Sequence, residues 1–263
     1  MKKSIWQLLT VCFLLLSIAS CEKEKYDDDQ YGDHCYVRKL AITPGSIASA
    51  PAFSTTTFEY GPDDMISAVE MNITGAPLCR MVVTYNNHTA FADFYINGER
   101  IGWSESPLDT FGNMISTINT DSSGNSMGDE TYVYNSDHQI TDITGYDFPT
   151  QTNLSLHIDY SNGNPVKFHT SGGDIRCDYN IGQKSSLKLG KGNVVLQAQK
   201  QCENIALAFT TDLLKTYDID GVQAGQAMHA TYDFDSDGKV RKLYWSTTSS
   251  NNFGTTDVQY DCY

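Results

Sequence analysis

Two stretches of this sequence have the residue spacing of known catalytic or metal-binding motifs. The first, Gly124-Asn125-Ser126-Met127-Gly128, matches the G-x-S-x-G pattern that presents a nucleophilic serine between a strand and a helix. Here turn-forming residues 121–123 precede the motif and strand-like residues 131–134 follow it. Because the motif has meaning only in its structural setting, the sequence predicts a glycine-rich loop and no catalytic serine.

The second motif, Asp233-x-Asp235-x-Asp237-Gly238, has the opening spacing of a calcium-binding loop. An EF-hand loop needs a bidentate glutamate at its twelfth position and helices on both sides, whereas this chain has Tyr244 there and strand-like flanks. A tight turn explains all of these residues. We therefore predict a hairpin turn, with a weak surface calcium site as the alternative.

The histidine, glycine and lysine patterns predict no cofactor. No H-E-x-x-H motif and no zinc-type spacing of histidines with cysteines occurs, so we predict no metal ligand among His34, His88, His138, His157, His169 and His229. Gly190-Lys191-Gly192 completes no phosphate-binding pattern, which argues against nucleotide binding. The one concentration of basic residues indicates a solvated face, although a site for an acidic glycan would need the same charges; it comprises Lys184, Lys188, Lys191 and Lys200.

Carboxylates and tryptophans are the remaining residues with chemical potential. The two acids of a glycosidase meet in space and need no fixed spacing, so their abundance names no pair and we predict no catalytic residue. Trp103 and Trp245 lie near the ends of proposed hairpins. They are candidate ligand-facing aromatics that would stack on sugar rings if exposed, and the alternative is that they complete the core.

The elements that position these residues are predicted to be antiparallel β-strands. From about residue 41 onward, short aromatic or β-branched runs alternate with turn residues such as Asn-Gly and Asp-Gly, which favour tight hairpins. An aromatic residue is repeatedly followed six positions later by an aliphatic one, as in Tyr60/Ile66, Tyr95/Ile101, Tyr134/Ile140, Tyr160/Val166 and Phe234/Val240. Alternation along the strands predicts one apolar face and one polar face.

These hairpins predict one all-β domain over residues 41–263, arranged as a meander that forms a curled sheet or open barrel. One short helix is expected near 203–217, where the apolar residues fit a helical face better than a period of two, and a buried strand followed by a helix is the alternative. A membrane-spanning barrel is disfavoured because spanning strands need about 10 residues with an apolar outer face, and the runs here are mostly shorter.

The N-terminus has the features of an export signal. Lys2 and Lys3 precede an apolar stretch that is shorter than the ~20 residues of a spanning helix, so residues 1–20 are predicted to be a signal peptide. Ile18-Ala19-Ser20-Cys21 resembles the lipobox of bacterial lipoproteins, which implies lipidation of Cys21. Residues 21–40 are predicted to be the lipidated cysteine and an acidic tether, and the acids after Cys21 resemble a surface-export signal of the Bacteroidota.

Charge and cysteine content limit the partners and the compartment. The net charge of -14 becomes -16 once Lys2 and Lys3 leave with the signal, and such an acidic chain is not expected to bind nucleic acid. In an oxidising compartment two disulfides and one spare thiol are compatible with the five cysteines that remain after Cys12 and Cys21 are set aside. Their pairing does not follow from spacing, and small buried hydrophobic residues are the alternative for Cys35, Cys79, Cys177, Cys202 and Cys262.

A family resemblance follows from the hairpin unit. The stretch from Phe234 to Leu243, with an aromatic residue, an Asp-rich turn and an aliphatic residue, resembles the YD repeats of RHS-type proteins. Together with the lipobox, it resembles YD-repeat-like lipoproteins of unknown function from the Bacteroidota, and this implies a porin-like curled sheet over most of residues 50–263. The resemblance supplies no catalytic residues.

The sequence therefore predicts a lipid-anchored protein of the bacterial outer membrane, exposed at the cell surface. Its expected function is that of a non-catalytic binding module for a glycan or an envelope protein. One alternative is a hydrolase that acts on extracellular polysaccharide or another polymer. Another is a purely structural envelope component.

Overall fold

The structure is a computed structural model that describes residues 35–44, 54–61, 65–86, 88–170, 173–187, 212–219, 227–247 and 250–262. In these ranges the chain forms sixteen β-strands, β1 (Cys35–Pro44), β2 (Ser54–Tyr60), β3 (Ile66–Ile73), β4 (Cys79–Asn86), β5 (Thr89–Ile96), β6 (Glu99–Pro107), β7 (Ser116–Asp121), β8 (Ser126–Tyr134), β9 (Ile140–Asp147), β10 (Thr152–Ser161), β11 (Asn164–Thr170), β12 (Gly173–Lys184), β13 (Asp212–Ile219), β14 (Met228–Phe234), β15 (Val240–Thr247) and β16 (Ser250–Cys262).

The strands form a closed up-and-down barrel. Each strand pairs antiparallel with the next one along the chain, and β1 pairs with β16 from Cys35↔Cys262 to Pro44↔Gly254. The antiparallel all-β prediction is confirmed, whereas the predicted curled sheet or open barrel is wrong. Closure satisfies the backbone groups of both terminal strands, which an open sheet would leave unpaired.

The predicted helix near 203–217 is also not observed. Residues 203–211 lie outside the described residues, and Asp212 to Tyr217 belong to strand β13. Leu213 and Leu214 are both buried, and the register of β12 and β13 shifts on either side of this pair, which interrupts strict alternation. Two adjacent buried leucines have the appearance of a helical face, and a β-bulge produces the same pattern.

The predicted boundary between tether and domain, after residue 40, lies inside strand β1. This strand begins at Cys35, so residues 35–40, which the sequence places in the tether, form part of the barrel wall. The signal peptide and Cys21 lie outside the described residues.

The interior of the barrel is filled by an apolar core. Side chains alternate along the strands between buried apolar residues and exposed polar ones. The large side chains that are almost completely buried are Phe58, Ile66, Met71, Met81, Met114, Ile140, Ile143, Ile158 and Phe168. They come from β2 to β4, from β9 to β11 and from the segment before β7, and one cluster joins them to buried apolar residues of most other strands, so the interior is a packed core.

One end of the barrel carries a repeated tyrosine contact. Among the described residues, seven of the eight even-numbered strands place a tyrosine whose hydroxyl donates to a backbone carbonyl of the preceding hairpin arm, at 2.6–3.1 Å. We call this end the tyrosine rim, defined by Tyr60, Tyr85, Tyr134, Tyr160, Tyr179, Tyr232 and Tyr260. Each contact satisfies a partly buried carbonyl and is worth about 1 kcal/mol.

Among the described even-numbered strands, β6 is the one without this tyrosine contact, and it ends differently. Leu108 follows it and forms a bridge with Met114, six residues later. The same spacing joins Tyr60 to Ile66 and Phe234 to Val240. The predicted six-residue unit is therefore confirmed at these positions, although Tyr95 and Tyr160 pair one residue earlier than predicted.

Four turns share one hydrogen-bonded form, set by the side chains of Asp109, Asp121, Asn135 and Asp235. In each turn the side-chain oxygen accepts the backbone N–H groups two and four residues later, at 2.8–3.0 Å. The residue three positions later has a positive φ and is glycine in three turns and His138 in the fourth. The Asx-turn thus explains the turn-rich composition of the sequence.

A disulfide joins the first and last strands at the tyrosine rim. Cys35 of β1 is bonded to Cys262 of β16, and the Nζ atom of Lys239 lies 3.0 Å from the Cys35 sulfur. Cys79 and Cys177 are buried thiols in the core, and Cys202 lies outside the described residues. The described residues therefore contain one disulfide, at the seam where the barrel closes, instead of the two that the cysteine count allowed, and Cys79 and Cys177 follow the alternative of small buried hydrophobic residues.

Candidate functional site

The outer wall of the barrel is polar and carries most of its charged side chains. Arg80 forms ion pairs with Glu59 and Glu70 across three strands, and Lys242 pairs with Asp257 at 3.0 Å. A transmembrane barrel has the opposite pattern, with an apolar band outside and polar residues inside. Within the described strands, most buried side chains are apolar and most charged side chains lie outside, with Glu130 and Asp212 as buried exceptions. The wall and the rims are therefore the surfaces that face a partner.

One part of this wall combines aromatic and acidic side chains. Cross-strand partners from β5 to β9 form a line across the outer surface in the order Phe91, Glu105, Ile118, Asp129 and Tyr146. Ile118, at the centre of this line, is 55% exposed. We call this surface, together with Trp103, the aromatic wall.

Trp103 lies on this wall, while Gly102 and Ser104 on either side of it are buried in the barrel. Asp93 and Thr120 are its cross-strand partners. The guanidinium of Arg100 lies 4.7 Å from the centre of the Trp103 ring, and its Nε donates to Asp93 at 2.6 Å. The cation–π contact orders the indole against the wall, and Trp103 remains a candidate ligand-facing residue.

Trp245 has a different environment. It packs against the interior core, and its Nε1 donates to the hydroxyl of Thr256 at 3.2 Å. The two tryptophans predicted as ligand-facing therefore lie on opposite faces of the sheet. The structure brings them to no common surface.

A second feature of the outer wall is a line of histidines and aspartates across β9 to β12. Asp142, His157, His169 and Asp174 are consecutive cross-strand partners, and we call these residues with Asp159 the histidine row. The Nδ1 atom of His157 lies 2.7 Å from Asp142, and the Nδ1 atom of His169 lies 3.0 Å from Asp174. Both Nε2 atoms face Asp159, at 3.5 Å from His157 and 2.9 Å from His169.

The histidine row has perturbed titration behaviour. The hydrogen bond to Asp142 raises the pKa of His157 above its usual value. The hydrogen bond from His169 lowers the pKa of Asp159, and the hydrogen bond from Lys167 lowers the pKa of Asp174. The carboxylates of Asp159 and Asp174 are therefore ionised at neutral pH.

The interior contains a small polar network between β6 and β8. The Tyr132 hydroxyl donates to the carboxylate of Glu130 at 2.7 Å and contacts Thr117, which contacts Ser106. Burial raises the pKa of Tyr132 well above its usual value, with a further contribution from the charge of Glu130. All four residues are buried, and this network satisfies polar groups inside the core.

The two sequence motifs are explained by local structure. Gly124 supplies the positive φ of an Asx-turn, and Ser126 begins strand β8, so no strand–turn–helix surrounds the serine in this described region. Asp235 binds the backbone of its own turn, while Asp233 accepts the hydroxyl of Tyr244 at 2.6 Å. The predicted turn at Asp235 is confirmed, whereas the predicted glycine-rich loop is confirmed only for Gly124 and Asn125, because Ser126 to Gly128 belong to strand β8. Of the four basic residues, Lys188, Lys191 and Lys200 lie outside the described residues.

Together, the fold and these surfaces define a closed sixteen-stranded antiparallel barrel with a filled apolar interior and a charged wall. The described part of the chain contains no helix of the length and hydrophobicity needed to cross a membrane.

Solved structures with a similar fold include two porin-like proteins. A porin-like protein from Bacteroides uniformis matches with a TM-score of 0.56 and 17% identity, over 86% of this chain and 98% of its own. A porin-like protein from Bacteroides vulgatus matches with a TM-score of 0.51 and 12% identity, over 86% of this chain and 99% of its own. No protein-family model and no curated protein matches the sequence. At these identities the likeness shows the fold, so the YD-repeat relationship stays a prediction.

Proposed function

We propose that this chain is a lipid-anchored protein of the bacterial outer membrane that acts as a non-catalytic binding module at the cell surface. The observation that carries the proposal is the polarity of the barrel, which has a filled core and a charged wall. Such a barrel is stable in water and has its interior committed to packing. A lipid on Cys21 then supplies the attachment to the membrane that the wall does not provide.

The aromatic wall is the surface through which we expect binding. Trp103, Phe91 and Tyr146 offer ring faces, and Glu105 and Asp129 offer acceptors for hydroxyl groups. Ring faces next to carboxylates suit a neutral glycan, because sugar C–H groups stack on aromatic rings while sugar hydroxyls donate to acids. The acidic charge of the chain disfavours an anionic glycan at this wall.

Anchoring and location are tested in the bacterial host with the full chain. Mass spectrometry of the wild-type protein should find acyl chains on Cys21, and Cys21→Ala should release the protein from the membrane fraction. Protease treatment of intact cells should digest the domain. Protection in intact cells, with digestion only after outer-membrane rupture, would place it on the periplasmic face instead.

Binding is tested on glycan arrays and in pull-downs from envelope extracts. We expect wild-type protein to retain a ligand and Trp103→Ala to lose most of that binding, while Lys242→Ala on the opposite arc of the wall retains it. A ligand bound equally by Trp103→Ala would exclude the aromatic wall. Stable ion conductance in a planar bilayer would contradict the filled barrel and reject the binding-module proposal itself.

A further inference from the structure

We propose that the tyrosine rim is the end of the barrel that faces the lipid surface, and that Phe111, Ile115 and Val133 touch the lipid headgroups there. This inference rests on the proposed function, because it needs the lipid on Cys21. It adds an orientation of the barrel and a second contact with the membrane, made by the folded domain itself.

The place where the chain enters the barrel favours this orientation. Strand β1 begins at Cys35, which lies at the tyrosine rim and is bonded to Cys262 of the last strand. Cys21 and Cys35 are 14 positions apart (35 minus 21), and a chain of that length spans at most about 50 Å. The disulfide fixes the point of attachment, because it holds the first residue of β1 on β16. A lipid on Cys21 is thus joined to the barrel at this rim, and the far end lies the full height of the wall away.

An exposed apolar patch lies on the same rim. Phe111, Ile115 and Val133 are 65%, 48% and 51% exposed. Phe111 lies in the turn between β6 and β7, the Ile115 carbonyl accepts the backbone N–H of Tyr132 at 3.1 Å, and Val133 precedes Tyr134 of the tyrosine rim. We call Phe111, Ile115 and Val133 the rim patch. Large apolar side chains exposed together mark a contact with a partner or a membrane.

The local structure holds Phe111 in its exposed position. The Asp109 carboxylate accepts the backbone N–H groups of Phe111 and Asn113, at 2.8 and 2.9 Å. The centre of the Phe111 ring lies 4.2 Å from that of His138 on the neighbouring turn, and the His138 ring contacts the Asn113 side chain at 3.3 Å. The phenyl ring is therefore ordered before it meets a lipid, which lowers the entropic cost of the contact.

The anchor and the rim patch lie on different sides of the rim. In the ring of sixteen strands, the patch extends from the end of β6 to β8, which are five and seven places from β1. Two contacts so far apart turn the whole rim towards the surface that they share. Because the lipid already holds the domain at the membrane, the second contact is intramolecular in effect, and a weak apolar contact is enough to set the orientation.

The charges of the barrel disfavour an orientation in which the wall lies on the membrane. Arg80 and Lys242 form ion pairs on the outer wall, and lipid contact would remove these charges from water at a high cost. The rim also carries exposed acids in its turns, at Asp137 and Asp237. We therefore expect a shallow contact, in which the rim patch reaches the headgroups while these acids stay in water.

The test uses lipidated full-length protein, purified from the bacterial membrane and reconstituted into phosphatidylcholine vesicles. One variant is Phe111→Trp, and the matched control is Phe148→Trp, at a phenylalanine that is 46% exposed at the other end of the barrel. Wild-type protein supplies the background emission of Trp103 and Trp245. In vesicles whose acyl chains carry bromine close to the headgroups, we expect the added emission of Phe111→Trp to shift to the blue and to be quenched. The added emission of Phe148→Trp should be unchanged.

Circular dichroism of each variant checks the fold, and Val133→Trp is a second probe of the rim patch with the same expected result. Vesicle flotation separates this inference from the proposed function. Protein that carries no lipid and does not float with the vesicles contradicts both. Protein that floats, but in which the rim-patch probes are unquenched or Phe148→Trp is quenched more strongly, overturns the orientation alone and leaves the lipid anchor in place.

Discussion

The disulfide between Cys35 and Cys262 should be a major source of stability, and its contribution can be worked out from its place in the chain. The bonded residues are 227 positions apart, so the bridge closes a loop that contains almost the whole barrel. Chain-entropy estimates for a loop of this length give about 5 kcal/mol. We expect Cys35→Ala/Cys262→Ala to lower the free energy of unfolding by about 3–5 kcal/mol, because real denatured chains are more compact than the estimate assumes.

Urea unfolding followed by tryptophan fluorescence measures this change. The wild-type protein is also unfolded under oxidising and under reducing conditions, so that its free energy of unfolding is compared with and without the bond. Cys79→Ala is the control, since it removes a buried thiol and leaves the bridge in place. Reduction should destabilise wild-type protein and leave the double variant unaffected. A loss below 1 kcal/mol in the double variant would refute the reasoning, because it would show that pairing of β1 with β16 alone closes the barrel.

Three further changes test other parts of the fold. Tyr134→Phe removes one hydroxyl contact of the tyrosine rim and leaves a carbonyl unsatisfied, so urea unfolding should show a loss of about 1–2 kcal/mol. Asp142→Asn should lower the pKa of His157 towards its usual value, as measured by NMR titration. In the wild type, the raised pKa of His157 stabilises the fold at low pH, and this stabilisation is lost as the pH rises through the pKa of the folded state. Gly128→Ala should lower the melting temperature, because a Cβ atom there would lie 2.5 Å from the Tyr146 carbonyl oxygen in a backbone with φ of 154°.

The hairpins were predictable because their signals are local. Asp235 and Gly238 lie within one turn, and the turn's hydrogen bonds join residues at most four apart. Closure of the barrel depends on pairing between Cys35 and Cys262, which no local pattern encodes. Propensity and turn chemistry therefore predict the repeating unit, while the number of units that close a ring depends on long-range pairing.

The histidine row was missed for a related reason. Counting back from the Asn162-Gly163 turn, a regular hairpin would place His157 opposite Phe168. A register shift between Asp159 and Tyr160 places it opposite His169 instead. A β-bulge of this kind changes which side chains meet across the strands, and the sequence carries no clear signal for it. Trp103 was identified from its residue type. The face of the sheet on which it lies depends on the pairing register of strand β6, which the sequence did not show.

The apolar core fixes the arrangement of the polar side chains on the outer wall. Every member of the histidine row is next to a buried residue of its own strand, and these neighbours are Ile143, Ile158, Phe168 and Ile175. A slip of one residue would turn His157 into the core and Ile158 into water, so burial of the apolar side chains fixes the register of the polar ones. The packed interior thus fixes which polar side chains meet on the outer wall.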